Sequence, residues 1–178
     1  MSLTLPDQVD PWRAAKAGVC LSGTLALRSL ARLAASIAAE AADVVSYELG
    51  FQRDAEGRSV VRGRLRTELR LRCERCLGEV AVPVDTRLSL VLMPGEHGVA
   101  ELPPDLDPWI VDEDSLRPVD LIEEELLLAI PVVPRHEPGA CEPPSVADEG
   151  RHPQDEGAHD DRVNPFAVLA ELKGQGGD

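Results

Sequence analysis

The chain has 178 residues, of which 43% are hydrophobic and only 3% aromatic, and its formal net charge is −14. This length is enough for one domain with a core built mainly from leucine, valine and alanine. The acidic charge argues against attraction of the whole molecule to nucleic acid or to an anionic membrane. However, residues 53–75 hold eight arginines and four acids, whereas residues 95–161 hold nineteen acids and three arginines. This asymmetry predicts a basic face beside an acidic segment.

The N-terminal segment lacks a basic region followed by an apolar run, so the sequence shows no secretion signal. No apolar stretch approaches the roughly 18 residues that a membrane span requires. A cytoplasmic protein without a membrane partner is therefore expected. In that compartment its four cysteines favour free thiols or metal ligands over disulfides.

Alternating apolar residues predict two strands in the first third of the chain, over residues 18–28 and 43–53. Between them, residues 29–41 are rich in alanine and leucine. Their spacing predicts a helix that begins after a capping Ser29.

The dominant pattern is a hairpin over residues 58–92. Two runs alternate between apolar and polar residues with a period of two, which is typical of half-buried antiparallel strands. The loop over residues 74–78 is short enough to join them directly. One face of the first strand is apolar, and the other carries Arg62, Arg64, Arg66, Arg70 and Arg72.

Proline and glycine among acids predict a loop over residues 94–110. A helix is predicted over residues 118–130, with Pro118 in its first turn. Residues 137–162 have few large apolar side chains, which is typical of disorder. Asn164 and Pro165 then predict the start of a short C-terminal helix.

These elements predict an α+β fold, in which an antiparallel sheet of about four to six strands packs against two helices. A disordered acidic tail ending in a short helix follows. The expected division is a core domain over residues 1–135, an acidic flexible segment over 136–163 and a short C-terminal helix or tail over 164–178.

Cysteine spacing suggests a metal site. Cys73 and Cys76 are separated by two residues, a spacing that lets two sulfurs meet one zinc ion. His136 and Cys141 offer a second pair, so these four residues are the candidate ligands of one structural zinc ion. Two alternatives remain open. The thiols can be reduced and free of metal, or they can form a redox pair, although that chemistry favours a strand-to-helix junction.

The arginines of the hairpin form a candidate RNA-binding face. Alternate residues of a strand place guanidinium groups about 7 Å apart, a spacing that can follow a phosphate backbone. The candidate residues are Arg62, Arg64, Arg66, Arg70, Arg72 and Arg75. The alternative is an outward face paired with the acidic segment over residues 95–161. The sequence contains no Gly-rich phosphate loop, nucleophile elbow or metalloprotease helix, so no enzyme is predicted.

Four blocks carry a family resemblance. They are Leu5-Pro6 with Asp10-Pro11-Trp12-Arg13, Cys73-Glu74-Arg75-Cys76, Ile130-Pro131-Val132-Val133-Pro134-Arg135-His136 with Cys141, and Asn164-Pro165-Phe166-Ala167-Val168-Leu169. Together they resemble the bacterial YceD family of large ribosomal RNA subunit accumulation proteins. The resemblance implies a non-enzymatic role in the synthesis, processing or stability of the large-subunit (23S) ribosomal RNA.

The resemblance makes a ribosome-biogenesis factor the leading hypothesis. Its partners would be large-subunit ribosomal RNA or its precursor, and ribosomal or RNA-processing proteins, with no small-molecule substrate. A rival hypothesis is a protein-interaction adaptor that makes no RNA contact. Its partner-binding residues would be Phe166, Leu169 and Leu172, beyond the acidic tail. A third is a thiol oxidoreductase that uses Cys73 and Cys76.

Overall fold

A five-stranded sheet lies at the centre of the computed structural model, which describes residues 5–38, 43–104, 106–111 and 115–144. These residues all belong to one compact unit, Met1–Pro144. The strands, which lie in sequence order, are β1 (Cys20–Ala26), β2 (Val44–Arg53), β3 (Ser59–Arg72), β4 (Glu79–Met93) and β5 (Asp107–Ile110). The first four pair antiparallel, and β5 pairs parallel to β4. The predicted α+β class with a mainly antiparallel sheet is confirmed.

Within the described residues the α-helices are α1 (Pro11–Ala17), α2 (Ala31–Ala34) and α3 (Pro118–Leu128), and short 3-10 helices cover Leu27–Ser29 and Val99–Glu101. Helix α1 begins where the Asp10 carboxylate accepts from the N–H of Arg13, with proline at the first helical position. It ends at Gly18, whose φ of 67° is left-handed. None of the helices in this part of the chain is long and apolar enough to cross a membrane.

Helix α2 is much shorter than the prediction over residues 29–41. The Ser29 hydroxyl donates to the carbonyl of Ala26 instead of capping the helix. The cap comes from α3, because the Glu123 carboxylate accepts from the backbone N–H of Arg32 and Leu33. After the helix, the N–H of Ala38 donates to Arg70 of β3, so a tertiary contact ends the helical pattern.

The predicted hairpin is present as β3 and β4, which pair from Val60 with Val91 to Arg72 with Glu79. Its two faces differ as the alternation predicts. The inner face carries Leu65, Leu69, Leu71 and Cys73, all buried, and the helices pack on this side. The outer face carries the arginines. In α3 the buried residues are Pro118, Leu121, Ile122 and Leu126.

Residues 94–110 were predicted to be a loop, and the structure differs at the C-terminal end of this segment. Asp107–Ile110 forms β5 beside the last residues of β4. The residues before β5 cover one end of the outer face, where Val60, Val91, Met93 and Leu106 form a second, smaller apolar cluster. A four-residue strand is too short for periodicity to reveal it. The outer face is consequently open over only part of its length.

Gly63 provides a test of the packing between the central strands. A Cβ at this position would lie 2.6 Å from the carbonyl oxygen of Glu48 and 2.8 Å from Leu49 Cδ2. A Cβ at Gly50, on the outer face, would meet atoms only at 3.6 and 4.0 Å. We expect Gly63→Ala to lower the free energy of unfolding by about 2–3 kcal/mol, and Gly50→Ala to change it by less than about 0.5 kcal/mol. Urea unfolding of both variants checks this, and equal stabilities would contradict the described register.

Candidate metal centre and arginine face

The tip of the hairpin forms a tight turn that begins at Cys73. Its N–H donates to the carbonyl of Gly78 at 2.7 Å, and its carbonyl accepts from the N–H of Leu77 at 2.9 Å. Leu77 adopts a left-handed φ of 62°. The N–H of Arg75 points at Cys73 Sγ over 3.4 Å. This turn holds Cys73 and Cys76 on the same side of the tip.

The segment after α3 brings the other two candidate ligands to this tip. It is tied to the turn by the N–H of Glu74, which donates to the carbonyl of Pro134 at 2.8 Å. Two residues later, His136 Nδ1 lies 3.5 Å from Cys76 Sγ. Cys141 Sγ lies 3.9 Å from Cys73 Sγ. The four residues singled out by spacing are therefore close together in space.

The cluster has the dimensions of a tetrahedral zinc site. Its four ligand atoms all lie within 4.8 Å of one another. Zn–S and Zn–N bonds of about 2.3 and 2.0 Å imply S···S separations of about 3.8 Å and S···N separations of about 3.5 Å between tetrahedral ligands. The observed S···S and S···N distances of 3.9 and 3.5 Å are close to these values. The residues can hold a metal ion with little rearrangement.

The environment of Cys73 favours the thiolate, which is the form that binds metal. Burial alone would raise the pKa of this thiol. However, backbone N–H groups of Cys76, His136 and Arg75 stabilise the sulfur and hold its pKa at about 5. The pKa of Cys141 is raised, by burial and by its neighbouring thiols. Two thiolates at this distance repel each other unless a cation lies between them.

The arginine face is the outer surface of β3. Across the strands, Arg64 lies opposite Glu48 of β2 and Arg87 of β4. The prediction did not include Arg87. Side chains alternate between the two faces along β4, and Arg87 occupies one of the positions that face outward. This alternation is the signal that identifies it. The face therefore extends onto a second strand.

The middle of this face is neutralised. Arg64 donates two hydrogen bonds to Asp85, each at 2.5 Å, and Arg66 lies 3.5 Å from the same carboxylate. Arg70 pairs with Asp43 at 3.3 Å. Neither acid lies in the segment over residues 95–161, which the sequence suggested as the internal partner. Among the arginines of this face, those without an ion pair to any described residue are Arg62, Arg87 on the neighbouring strand, and Arg72 and Arg75 at the hairpin tip.

Each end of the face adjoins a hollow. The first has a volume of about 450 Å³ and lies beside Arg62, where Gly50 contributes no side chain between Cys20 and β3. The second, of about 360 Å³, lies beside Arg72 and Leu77 at the hairpin tip. Both hollows are thus bordered by an arginine that has no ion pair among the described residues.

Asp85 provides a pH test of the neutralised centre. Hydrogen bonds from Arg64 lower the pKa of this carboxyl from 3.8 to about 2. A carboxylate whose pKa is lowered by folding stabilises the fold above its unfolded pKa, and the contribution disappears as the pH falls through the folded value. The contribution of Asp85 should therefore be complete above pH 3.8 and be lost as the pH falls toward 2. In an NMR titration, Arg64→Gln should return the pKa toward 3.8. A wild-type carboxyl that already titrates there would contradict the ion pair.

Predictions for the C-terminal part of the chain lie outside the described residues. These are the part beyond residue 144 of the disorder predicted over residues 137–162, the helix that begins at Asn164, and the partner-binding residues Phe166, Leu169 and Leu172.

Comparison with known proteins gives a consistent result. The family described as "Large ribosomal RNA subunit accumulation protein YceD" matches residues 61–173. A protein of Haemophilus influenzae with the same name is 30% identical over 172 residues, which cover 95% of this chain and 96% of that protein. No solved structure shows a significant match.

Proposed function

This chain belongs to the YceD family, and from that membership we propose that it acts, without catalysis, in the synthesis, processing or stability of 23S ribosomal RNA. The family's name connects it with accumulation of the large-subunit RNA. The proposed location is the cytoplasm, where that RNA is made. The proposed partners are this RNA or its precursor, together with ribosomal or RNA-processing proteins.

The observation that supports direct RNA contact is the pair of positive ends on the outer face. Arg62 and Arg72 are ten residues apart on one strand, which corresponds to about 33 Å. Each is exposed, borders a hollow and has no ion pair among the described residues. Phosphate contacts provide most of the sequence-independent affinity for nucleic acids. The proposed contacts are therefore made mainly by Arg62 and Arg87 at one end and by Arg72 and Arg75 at the other, with Arg64, Arg66 and Arg70 between them.

We assign zinc as the metal, with a structural role. Three sulfurs and one imidazole are a ligand set that zinc prefers. The ion would fix the segment containing His136 and Cys141 to the hairpin tip, and so fix the position of Arg75. A thioredoxin-type redox role is not supported, because the thiol pair lies in a turn between two strands and no helix begins there. Metal analysis of protein purified without added zinc should find about one zinc per chain.

A protein-interaction adaptor is the second candidate. It is favoured by exposed apolar residues after α3, since Leu128 and Val132 are 78% and 97% exposed. The proposed division of the chain into a core over residues 1–135, an acidic segment over 136–163 and an end over 164–178 would place further partner-binding residues, Phe166, Leu169 and Leu172, in the last part.

Copurification from cells, with and without ribonuclease, distinguishes the two candidates. The RNA proposal predicts that large-subunit RNA or its precursor copurifies with the tagged full-length chain, and that associated ribosomal proteins are lost after ribonuclease treatment. Ribonuclease-resistant association with one protein, without enrichment of large-subunit RNA, would instead support the adaptor.

A further inference from the structure

Among the described residues, strand β1 is an edge strand of the sheet, and the hydrogen bonds around it show which of its backbone groups are available for further pairing. The N–H of Phe51 donates to the carbonyl of Val19, and the N–H of Leu27 donates to the carbonyl of Asp43. Because bonded residues alternate along an antiparallel ladder, the odd-numbered residues of β1 bond to β2. The outward-directed N–H and C=O groups belong to Cys20, Ser22, Thr24 and Ala26. Apart from the Ala26 carbonyl, which accepts from Ser29, these groups have no backbone or side-chain partner among the described residues.

The composition of β1 offers no protection against further pairing. The strand reads Cys-Leu-Ser-Gly-Thr-Leu-Ala and contains no charged residue and no proline. Exposed edge strands usually carry such residues, which prevent another strand from adding to the sheet. The chain as a whole has a net charge of −14. An uncharged edge is therefore the part of this surface where two strands meet with the least electrostatic repulsion.

The strand is also nearly palindromic about Gly23. In an antiparallel pair of two copies centred on this glycine, Leu21 of each copy lies opposite Leu25 of the other. Ser22 lies opposite Thr24, and Cys20 lies opposite Ala26. Hydroxyl residues thus face hydroxyl residues on the outer side, and leucines face leucines on the inner side. Such cross-strand pairs stabilise a sheet.

The same register satisfies the hydrogen-bonding pattern. The residues with outward-directed groups are all even-numbered, and a pair centred on Gly23 places even residues opposite even residues. Ser22 and Thr24 then exchange two hydrogen bonds with their counterparts, as the narrow pairs of an antiparallel ladder do. The Gly23 residues of the two copies lie opposite each other at the two-fold axis, as a pair without hydrogen bonds between them. A Cβ at Gly23 would lie 2.9 Å from the Tyr47 hydroxyl of its own chain, so a larger residue would displace that side chain.

Strand β1 is an edge strand, its sequence is nearly palindromic about Gly23, and its outward-directed hydrogen-bonding groups match those of a second copy. We therefore infer that β1 docks on β1 of a second copy of the chain. The result is a two-fold symmetric dimer with one continuous sheet. Leu21 and Leu25, which are only half-buried in one copy, become more buried against their counterparts. A self-complementary edge favours a second copy over an unrelated strand, because an isologous interface requires the same patch to match itself. The outer faces of the two copies then join into one surface with the arginines of both.

Proline at position 22 tests this pairing without changing the ladder to β2. The N–H of Ser22 points away from β2, so Ser22→Pro removes a donor from the dimer only, and edge strands tolerate proline. By sedimentation velocity at micromolar concentrations, the full-length wild type should be a dimer. Ser22→Pro should weaken dimerisation at least tenfold while keeping the circular dichroism spectrum and Tm. Ser22→Ala, which keeps the N–H, should remain a dimer. A wild type that is monomeric at these concentrations would overturn the inference, as would a Ser22→Pro variant that dimerises equally well.

A cross-linking variant tests the register separately. Ala26→Cys places a thiol opposite the native, exposed Cys20 of the second copy. In a hydrogen-bonded antiparallel pair the two Cα atoms are about 5.5 Å apart. This separation is within the range of a disulfide bond. Mild oxidation should convert most of this variant to a covalent dimer. Ala81→Cys, on the outer face of β4 away from the edge, is the matched control and should form little covalent dimer. Equal cross-linking of both variants would show nonspecific contact and overturn the proposed register.

Discussion

Replacing Cys73 with serine should lower Tm by about 10 °C and reduce the zinc content from about one ion per chain to near zero. The ion would join two parts of the chain that are far apart in sequence, the hairpin tip and the segment that follows α3. In the structure, one backbone–backbone hydrogen bond, from Glu74 to Pro134, joins them at this point, and the backbone N–H of His136 donates to the Cys73 sulfur. Losing the metal would leave little else to hold His136 and Cys141 against the tip. Differential scanning calorimetry and metal analysis on the same samples measure both quantities.

Two controls separate loss of metal from loss of packing, because Cys73 is itself buried. Cys20→Ser removes an exposed thiol far from the cluster and should leave Tm unchanged. A zinc chelator should destabilise the wild type about as much as Cys73→Ser does, and should have no further effect on that variant. If reduced, metal-free wild-type protein has an undiminished Tm, the cluster is a set of free thiols and the zinc assignment fails.

Reversing Arg62 and Arg72 to glutamate should weaken binding of large-subunit RNA about a hundredfold at low salt. These two arginines are exposed and have no ion pair among the described residues, so folding should not depend on their charge. Arg64 and Arg70 are less suitable, because they hold Asp85 and Asp43 and their reversal would place like charges together. The slope of log K against log salt should also become shallower, since fewer counterions are released.

A second double variant controls for charge. Lys16→Glu with Arg28→Glu changes the net charge by the same amount, and both residues are exposed outside the outer face of β3 and β4. If binding depends on local contact, this control should keep most of the wild-type affinity. Equal losses in the two variants would indicate nonspecific attraction by net charge. Undiminished binding by the Arg62 and Arg72 variant would exclude the outer face as the RNA site.

Much of the fold follows from local patterns in the sequence. The period of two in β3 predicts both the buried leucines and the exposed arginines, because a one-residue shift would exchange the two faces. Pro118 marks the start of α3. The spacing of Cys73 and Cys76 identifies half of the candidate metal cluster, and His136 and Cys141 complete it.

The features that the sequence did not reveal depend on contacts between distant residues. Strand β5 has only four residues and pairs with the far end of β4. Helix α2 ends early because Ala38 bonds to β3, and its cap is a glutamate ninety residues away in α3. The choice of Asp85 as the partner of Arg64 depends on the register of β3 against β4, which no spacing rule specifies. For this reason the sequence could place the arginines on one face but could not show which of them are neutralised.

The central claim is that the arginine face binds large-subunit RNA. Its most direct test is to photo-crosslink the full-length protein to this RNA and to identify the modified peptides by mass spectrometry. The proposed function predicts crosslinks on β3 and β4, concentrated near Arg62 and Arg87 at one end and near Arg72 and Arg75 at the other. The helix-covered inner side should give few crosslinks, and the Arg62 and Arg72 variant should lose most of them. Crosslinks confined to the helices or to residues 145–178, with the outer face unmodified, would contradict RNA recognition by the arginine face.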